Sequence, residues 1–225
     1  YFFVPVKGLP KFCGGFIGYI GYDTVRFFEN LPHPPKDDLK FDDVILMLVK
    51  DLIIFDHLNH KIKLVSCVEI ASDASIGQKR LAYRKALQRI EKTITSLKAV
   101  TPQPRKAASR KPVKLNVTSN LTKKQFEQTI VSAKKNILAG DIIQVVLSQR
   151  FKAKISTEPF NVYRALRTIN PSPYMYFLHF DDIDIAGSSP ELLVRCENRI
   201  VETRPIAGTR PRGVDEKDDF RLAKD

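Results

Sequence analysis

The chain has 225 residues, 37 lysines and arginines against 25 aspartates and glutamates, and 43% apolar side chains, which suits one large or two small globular domains and excludes a disordered or fibrous chain. Apolar runs such as residues 44–49 and 52–55 fall well short of the ~20 residues of a spanning helix, and no basic, apolar leader opens the chain, so a soluble interior, cytoplasmic protein is expected. The +12 net charge allows long-range attraction of anionic substrates, nucleic acid or membrane surfaces but specifies no site.

Cys13, Cys67 and Cys196 lie far apart with no CxxC pair, which argues against a disulfide framework or a cysteine zinc site and reads as small hydrophobes. A start at Tyr1 and an end inside a helical pattern, FRLAKD at 220–225, suggest a piece of a longer polypeptide.

Residues 12–23, FCGGFIGYIGYD, alternate aromatic and β-branched residues with glycine and read as a strand pair with close backbone approach. Their G-x-x-G-x-x-G spacing is not the dinucleotide fingerprint, and no amphipathic helix follows. Segments 43–49, 52–58 and 61–69 read as an antiparallel meander, with His57 and His60 as exposed turn histidines. From Gln78 to Lys98, the residues Tyr83, Ala86, Leu87, Ile90, Ile94 and Leu97 recur at steps of three and four and predict a helix with a basic opposite face.

The stretch 101–112, TPQPRKAASRKP, has three prolines, four basic residues and no acid, and reads as a linker. Thr122 with Gln125 makes a capping-box pattern that opens a helix closed by Gly140. A strand is expected over 142–151, a short helix over 159–168, a turn at Asn170-Pro-Ser-Pro173, and strands over 174–180, 183–187, 192–197 and 200–203. Helices among mostly antiparallel strands predict an α+β fold.

Three segments of the second half carry unusual chemistry. In the expected strand DIIQVVLSQR, alternation places Ile142, Gln144, Val146, Ser148 and Arg150 on one face, so a neutral amide, Gln144, sits mid-strand as a structural bridge or a group facing a cavity. Tyr174, Met175 and Tyr176 follow two prolines and form either core or an adaptable wall for a small aromatic ligand. Residues 202–213, ETRPIAGTRPRG, combine Arg204, Arg210 and Arg212 with a Gly-Thr pair on a proline-punctuated loop, a set suited to binding carboxylates, with a basic surface loop as the plain alternative.

GGFIGYIGYD at 14–23, AGDIIQVVLSQRF at 139–151, NPSPYMYF at 170–177, GSSPELLVR at 187–195 and ETRPIAGTRPRG at 202–213 together resemble the chorismate-utilising family, in particular its anthranilate synthase component I branch. The resemblance implies an α/β sandwich of packed, mostly antiparallel sheets with surrounding helices, here truncated. It divides the chain into an N-terminal subdomain at 1–100, incomplete at its start, the linker at 101–112, and the first part of a chorismate-binding domain at 113–225. It also implies that the family continues past residue 225, where its two magnesium-binding glutamates and a catalytic histidine lie, and that a feedback-site serine lies upstream.

By the same resemblance, the activity is a lyase reaction. Chorismate and ammonia, with Mg2+, give 2-amino-2-deoxyisochorismate and then anthranilate and pyruvate, the first committed step of tryptophan biosynthesis. The ammonia comes from a glutamine amidotransferase partner in a hetero-oligomer, with no nucleic acid or membrane involved. Gly208 and Thr209 are implied as chorismate contacts. Pro173, Tyr174 and Met175, with Asn170 and Pro171 and the neighbours Tyr176 and Gly187, are implied as the tryptophan feedback pocket.

Two positions separate relatives. Gln144 stands where water-using relatives have a lysine base, and ammonia already has its lone pair, so a neutral amide suffices. Ala207 stands where aminodeoxychorismate synthase resembles PIKGT with an attacking lysine, and an alanine cannot form that covalent intermediate. Three alternatives remain at this level: the aminodeoxychorismate synthase component, a basic nucleic-acid-binding module, and an inactive remnant of a synthase. Asp37, Asp38 and the acids at 215–219 read as solvated turns and a helix N-terminus, so no magnesium set is expected within residues 1–225 and this stretch alone is expected to be inactive.

Overall fold

The computed structural model describes residues 4, 6–99, 115–206, 208 and 210–224. The chain divides into two compact units, Tyr1–Lys106 and Ala107–Asp225. The expected linker at 101–112 lies outside the described residues.

The first unit is built on two antiparallel hairpin-like pairs. β1 (Gly15–Ile20) pairs with β2 (Val44–Val49), and β3 (Asp51–Asp56) pairs with β4 (Lys61–Ser66). Two expectations are corrected here. The glycine-rich segment forms one strand and a 3-10 turn (Tyr22–Phe27), not a strand pair of its own; its partner is β2, in register Gly18↔Leu46. The three central segments therefore form no meander, because β2 takes its hydrogen bonds from β1 while β3 takes them from β4. The close backbone approach is real: a Cβ on Gly18 would sit 1.8 Å from the Ile45 carbonyl oxygen.

Residues 57–60 close the β3–β4 hairpin, with Asp56 accepting from the Asn59 backbone N–H at 3.0 Å and from the Lys63 ammonium at 2.8 Å. These bonds, Lys63 first and then Asn59, hold the Asp56 carboxyl well below the usual carboxylate range. His57 and His60 are both exposed, and His60 adopts the left-handed conformation at φ 51 that this turn requires.

α1 (Ile76–Lys98) opens with a complete capping box, the Ser75 hydroxyl accepting from Gln78 N–H and the Gln78 side chain accepting from Ser75 N–H. Only part of the expected apolar stripe is covered. Of that stripe Ala86 is buried and Ile90 half-buried, whereas Tyr83, Leu87, Ile94 and Leu97 are exposed; the other half-buried residues of the helix are Ala82, Arg89 and Thr93. Arg89 fastens the helix to the hairpin, donating to Asp51 Oδ1 at 3.1 Å, Ser66 Oγ at 3.0 Å and the Cys67 carbonyl at 3.2 Å. The Cys67 thiol donates to the Cys13 carbonyl at 3.1 Å, and burial pushes it up from its ordinary pKa. Cys13 is 2% exposed and all three cysteines are free, so the first two behave as the small hydrophobes expected.

The second unit begins with β5 (Val117–Ser119) and α2 (Lys123–Ala139), whose Thr122–Gln125 capping box and left-handed Gly140 cap (φ 82) form as the sequence indicates. The expected strand at 142–151 is corrected to a short β6 (Phe151–Ala153) paired with β5. A strand needs a neighbour to take its backbone groups. Beyond β6, the pairing with β5 reaches only Arg150, whose carbonyl accepts from Asn120 N–H at 3.1 Å. Residues 142–149 form no strand, and Ile143 is 96% exposed.

α3 (Pro159–Ile169) starts with proline in its first turn, where the missing N–H costs nothing. It packs on the hairpin of β7 (Tyr174–His179) and β8 (Asp184–Ser189) through Phe160, Tyr163 and Phe177, with ring centroids 5.3 to 5.9 Å apart. β9 (Arg195–Glu197) and β10 (Ile200–Glu202) form a third, short hairpin turned by Asn198 and Arg199, both at positive φ; residues 192–194 stay outside it. α4 (Glu216–Lys224) ends the described chain. Helices with small antiparallel sheets make this an α+β fold, as expected.

Candidate functional site

The β7–β8 hairpin positions the residues expected to form an aromatic-ligand pocket. In register Tyr176↔Gly187 and Met175↔Ser188, alternation sends Tyr174, Tyr176 and Gly187 to one face and Met175, Phe177 and Ser188 to the other. The second face is the one α3 covers, through Phe177. The structure therefore brings Tyr176 together with Gly187 and sets Met175 beside the C-terminal end of α3, where the Ser188 hydroxyl donates to the Asn170 carbonyl at 2.6 Å. Tyr174 and Met175 do not share a face. The Tyr176 ring lies directly over Gly187, since a Cβ at 187 would fall 2.1 Å from Tyr176 Cζ. Glycine at 187 is what lets that ring cross the strand. Asn170, Pro171 and Pro173 form the extended connection from α3 into β7; Asn170 and Pro171 are exposed and Pro173 is exposed with them.

The loop after β10 is held from both sides. Glu202 pairs with Arg204 at 2.5 Å and with Arg195 at 3.5 Å, which fixes the loop's start. Glu191 then reaches from the segment after β8 and accepts from the Ile206 backbone N–H at 3.1 Å. At the far end Asp219, on the first turns of α4, accepts from Gly213 N–H at 2.9 Å and from Arg212 at 2.6 Å. Gly208 lies between these anchors and is exposed, with open space around its α-carbon. Ala207 and Thr209 lie outside the described residues. Arg204 and Arg212 are thus engaged by carboxylates, and among the described residues Arg210 is the loop arginine with no ion pair.

Asp215 caps α4 by accepting from Asp218 N–H at 2.8 Å, so the acids at 215–219 serve the helix start and the loop end, consistent with their reading as a helix N-terminus. The Gly213 amide and then the Arg212 guanidinium hold the Asp219 carboxyl below the usual carboxylate range. A depressed folded value means that this contact contributes fully above the ordinary aspartate pKa and is lost as pH falls through the folded value. In an acid titration followed by NMR, the Gly213 amide is expected to shift with a midpoint below that of ordinary exposed aspartates, and Asp219→Asn to abolish the shift. A midpoint shared with the exposed carboxylates would show that the contact does not persist in solution.

Gln144 is exposed in a segment without strand pairing, so it is not a buried bridge. Among the described residues no group of three His, Cys, Asp or Glu side chains could hold a metal ion, and no helix is long and apolar enough to cross a membrane.

Sequence reasoning missed Glu191, which joins two of the distinctive segments. The available signal was a lone carboxylate opening the apolar run ELLV directly after Ser-Ser-Pro.

Comparison with known proteins places these features in context. The chain is 43% identical over 221 residues to "Anthranilate synthase component 1" of Acetivibrio thermocellus, covering 98% of this chain and 44% of that protein. It is 43% identical over 225 residues to the protein of the same name from Aquifex aeolicus, covering 99% and 44%. Among solved structures, anthranilate synthase component I from Streptococcus pneumoniae superposes with a TM-score of 0.68 at 33% identity, over 88% of this chain and 43% of that one. The chain thus spans about 44% of the length of the curated relatives it matches. Residues 4–225 match the chorismate binding enzyme family over nearly their whole extent, and the chain belongs to that family.

Proposed function

We propose that this chain is part of the large component of an anthranilate synthase, which converts chorismate and ammonia to anthranilate and pyruvate in tryptophan biosynthesis. The observation that carries this reading is the 43% identity, over almost the full chain, to proteins named anthranilate synthase component 1. The residues support it chemically. Gly208 and Thr209 orient the substrate by loop amide and hydroxyl, and Arg210 is the loop cation left over for a carboxylate. Gln144 suits an amine nucleophile that needs no base, and Ala207 leaves the ring open to direct amination.

Mg2+, held by residues outside this stretch, supplies charge neutralisation at the ring carboxylate. A glutamine amidotransferase, the second component of a hetero-oligomer in the cytoplasm, supplies the ammonia. Pro173, Tyr174 and Met175, with Asn170 and Pro171, take tryptophan as feedback inhibitor. Because Tyr174 and Met175 lie on opposite faces of β7, the indole in this reading meets the edge of the strand and the Asn170–Pro173 connection, not one flat wall.

The full-length protein, incubated with chorismate, ammonium and Mg2+, is expected to form fluorescent anthranilate, with tryptophan suppressing it. Formation of 4-amino-4-deoxychorismate instead would overturn the reading in favour of the aminodeoxychorismate synthase component. Met175→Thr is expected to raise the tryptophan concentration needed for half-inhibition by about tenfold, through roughly 1.4 kcal/mol of lost apolar contact, while uninhibited turnover stays near the parent's. Superimposable inhibition curves would remove Met175 from the pocket.

A further inference from the structure

Two of the chain's three cysteines, 54 residues apart in sequence, meet in the first unit. Cys67 is held from two sides, its backbone N–H donating to the Lys50 carbonyl at 2.7 Å and its own carbonyl accepting from Arg89 at 3.2 Å. Its sulfur lies 3.1 Å from the Cys13 carbonyl oxygen, which puts it within about 6 Å of the Cys13 α-carbon. The same sulfur fills the space that a side chain at position 14 would take, 2.9 Å from a Cβ there, so Gly14 is what admits it. Cys13 is buried and Cys67 half-buried, and both line a cavity of about 510 Å3 with Leu9, Val65, Val68 and Ile70.

We propose that Cys13 and Cys67 are a redox modification site, a thiol pair that closes to a reversible disulfide when Cys67 meets a hydroperoxide and Cys13 resolves the product. Access assigns the roles, since Cys67 is half-buried on the cavity while Cys13 is 2% exposed. With hydrogen peroxide, the Cys67 thiolate attacks one oxygen and the O–O bond breaks; Cys67 becomes a sulfenic acid, and the departing hydroxide takes up the thiol's proton as water. The Cys13 thiolate then attacks the Cys67 sulfur. The S–S bond forms, the S–O bond breaks, and the hydroxyl leaves with the Cys13 proton as a second water, so two thiols are oxidised and one peroxide is reduced. Because Cys67 is anchored, the adjustment falls on Cys13, where Gly14 and Gly15 follow and Gly15 already sits at φ 134. Burial, then Cys13 and Asp51, hold the Cys67 thiol above its ordinary value, so the pair rests reduced and reacts more slowly than an exposed cysteine. The product ties the entry of β1 to the end of β4.

The test uses the full-length protein, given prolonged exposure to excess hydrogen peroxide, alkylated, digested without reduction and read by mass spectrometry. A peptide pair joined through Cys13 and Cys67 is expected, lighter by two hydrogens than the two free peptides together and separated again by dithiothreitol. The same treatment is expected to raise the melting temperature by about 8 °C, because the link restricts the unfolded chain between residues 13 and 67. Cys13→Ser is expected to lose both the link and the rise, and to leave Cys67 oxidised to its sulfinic acid. In Cys67→Ser, Cys13 is expected to stay a free thiol. Both thiols still free in the parent after Cys196 has been oxidised overturns the proposal. So does a sulfinic acid at Cys67 in the parent without a link, which places Cys13 out of reach, and so does a link from either residue to any other cysteine or to a second molecule.

Discussion

Gly18→Ala in the full-length protein is expected to lower the melting temperature by about 12 °C or more, equivalent to roughly 3 kcal/mol in a unit of this size. The reason is geometric. A Cβ at position 18 would lie 1.8 Å from the Ile45 carbonyl oxygen and 2.9 Å from Leu46 Cα, so what it meets is backbone, which no rotamer change can clear. Relief requires β1 to separate from β2, and β2 has no other strand neighbour among the described residues. Gly77→Ala is the control of opposite sign. Gly77 lies in the first turn of α1, where a Cβ meets only Ser75 Oγ at 3.8 Å, so alanine there is expected to stabilise by about 0.5 kcal/mol. Both variants are read by thermal denaturation followed by circular dichroism. Should Gly18→Ala melt with the parent, the β1–β2 pairing in solution is not the one described.

What the residues disclosed beforehand, and what they did not, follows from the range of the interactions involved. The capping box at Thr122–Gln125 and the left-handed stop at Gly140 are set within four residues of sequence, and a capping pattern or glycine stop is legible at that range; the box at Ser75–Gln78 is equally local, yet the helix was marked there only by its apolar spacing. The partner of the glycine-rich strand was not legible, because Gly15–Ile20 pairs with residues 44–49 across a 23-residue excursion that leaves no local mark. The segment 142–149 shows the opposite error. Its β-branched, apolar composition reads as a strand, but composition cannot supply the neighbouring backbone, and Val146 stays 85% exposed.

At the site, the glycine and arginine residues of 202–213 stand out by type, whereas their holders do not. Glu191 and Asp219 look like ordinary surface acids until the fold brings one to the Ile206 amide and the other to Gly213. Likewise Tyr174-Met175-Tyr176 reads as one wall in sequence, and only strand register reveals that its members divide between two faces.

Glu191→Ala in the full-length protein is expected to lower kcat/KM for chorismate by about 100-fold, mostly through KM, with chorismate turnover measured under ammonia-dependent conditions. Among the described residues the Glu191 carboxylate makes no ion pair; its work is to accept the Ile206 N–H at 3.1 Å, while the Glu191 backbone N–H donates to Ser189 Oγ at 3.3 Å. Ile206 stands two residues before Gly208, so the bond sets where the loop leaves β10 on its way to the proposed substrate contacts. Removing the acceptor leaves the far anchor, Gly213 to Asp219, intact, so the loop is freed at one end and not unfolded. That asymmetry makes the result informative. Asp219→Asn weakens the other end and is expected to cost less, because the amide side chain still offers an oxygen to Gly213 N–H. Tryptophan inhibition is expected to be unchanged in both, since neither residue belongs to the pocket proposed around β7. If Glu191→Ala keeps the parent's kcat/KM, Gly208 does not meet the substrate in the conformation described, and the substrate-binding role proposed for residues 202–213 falls with it.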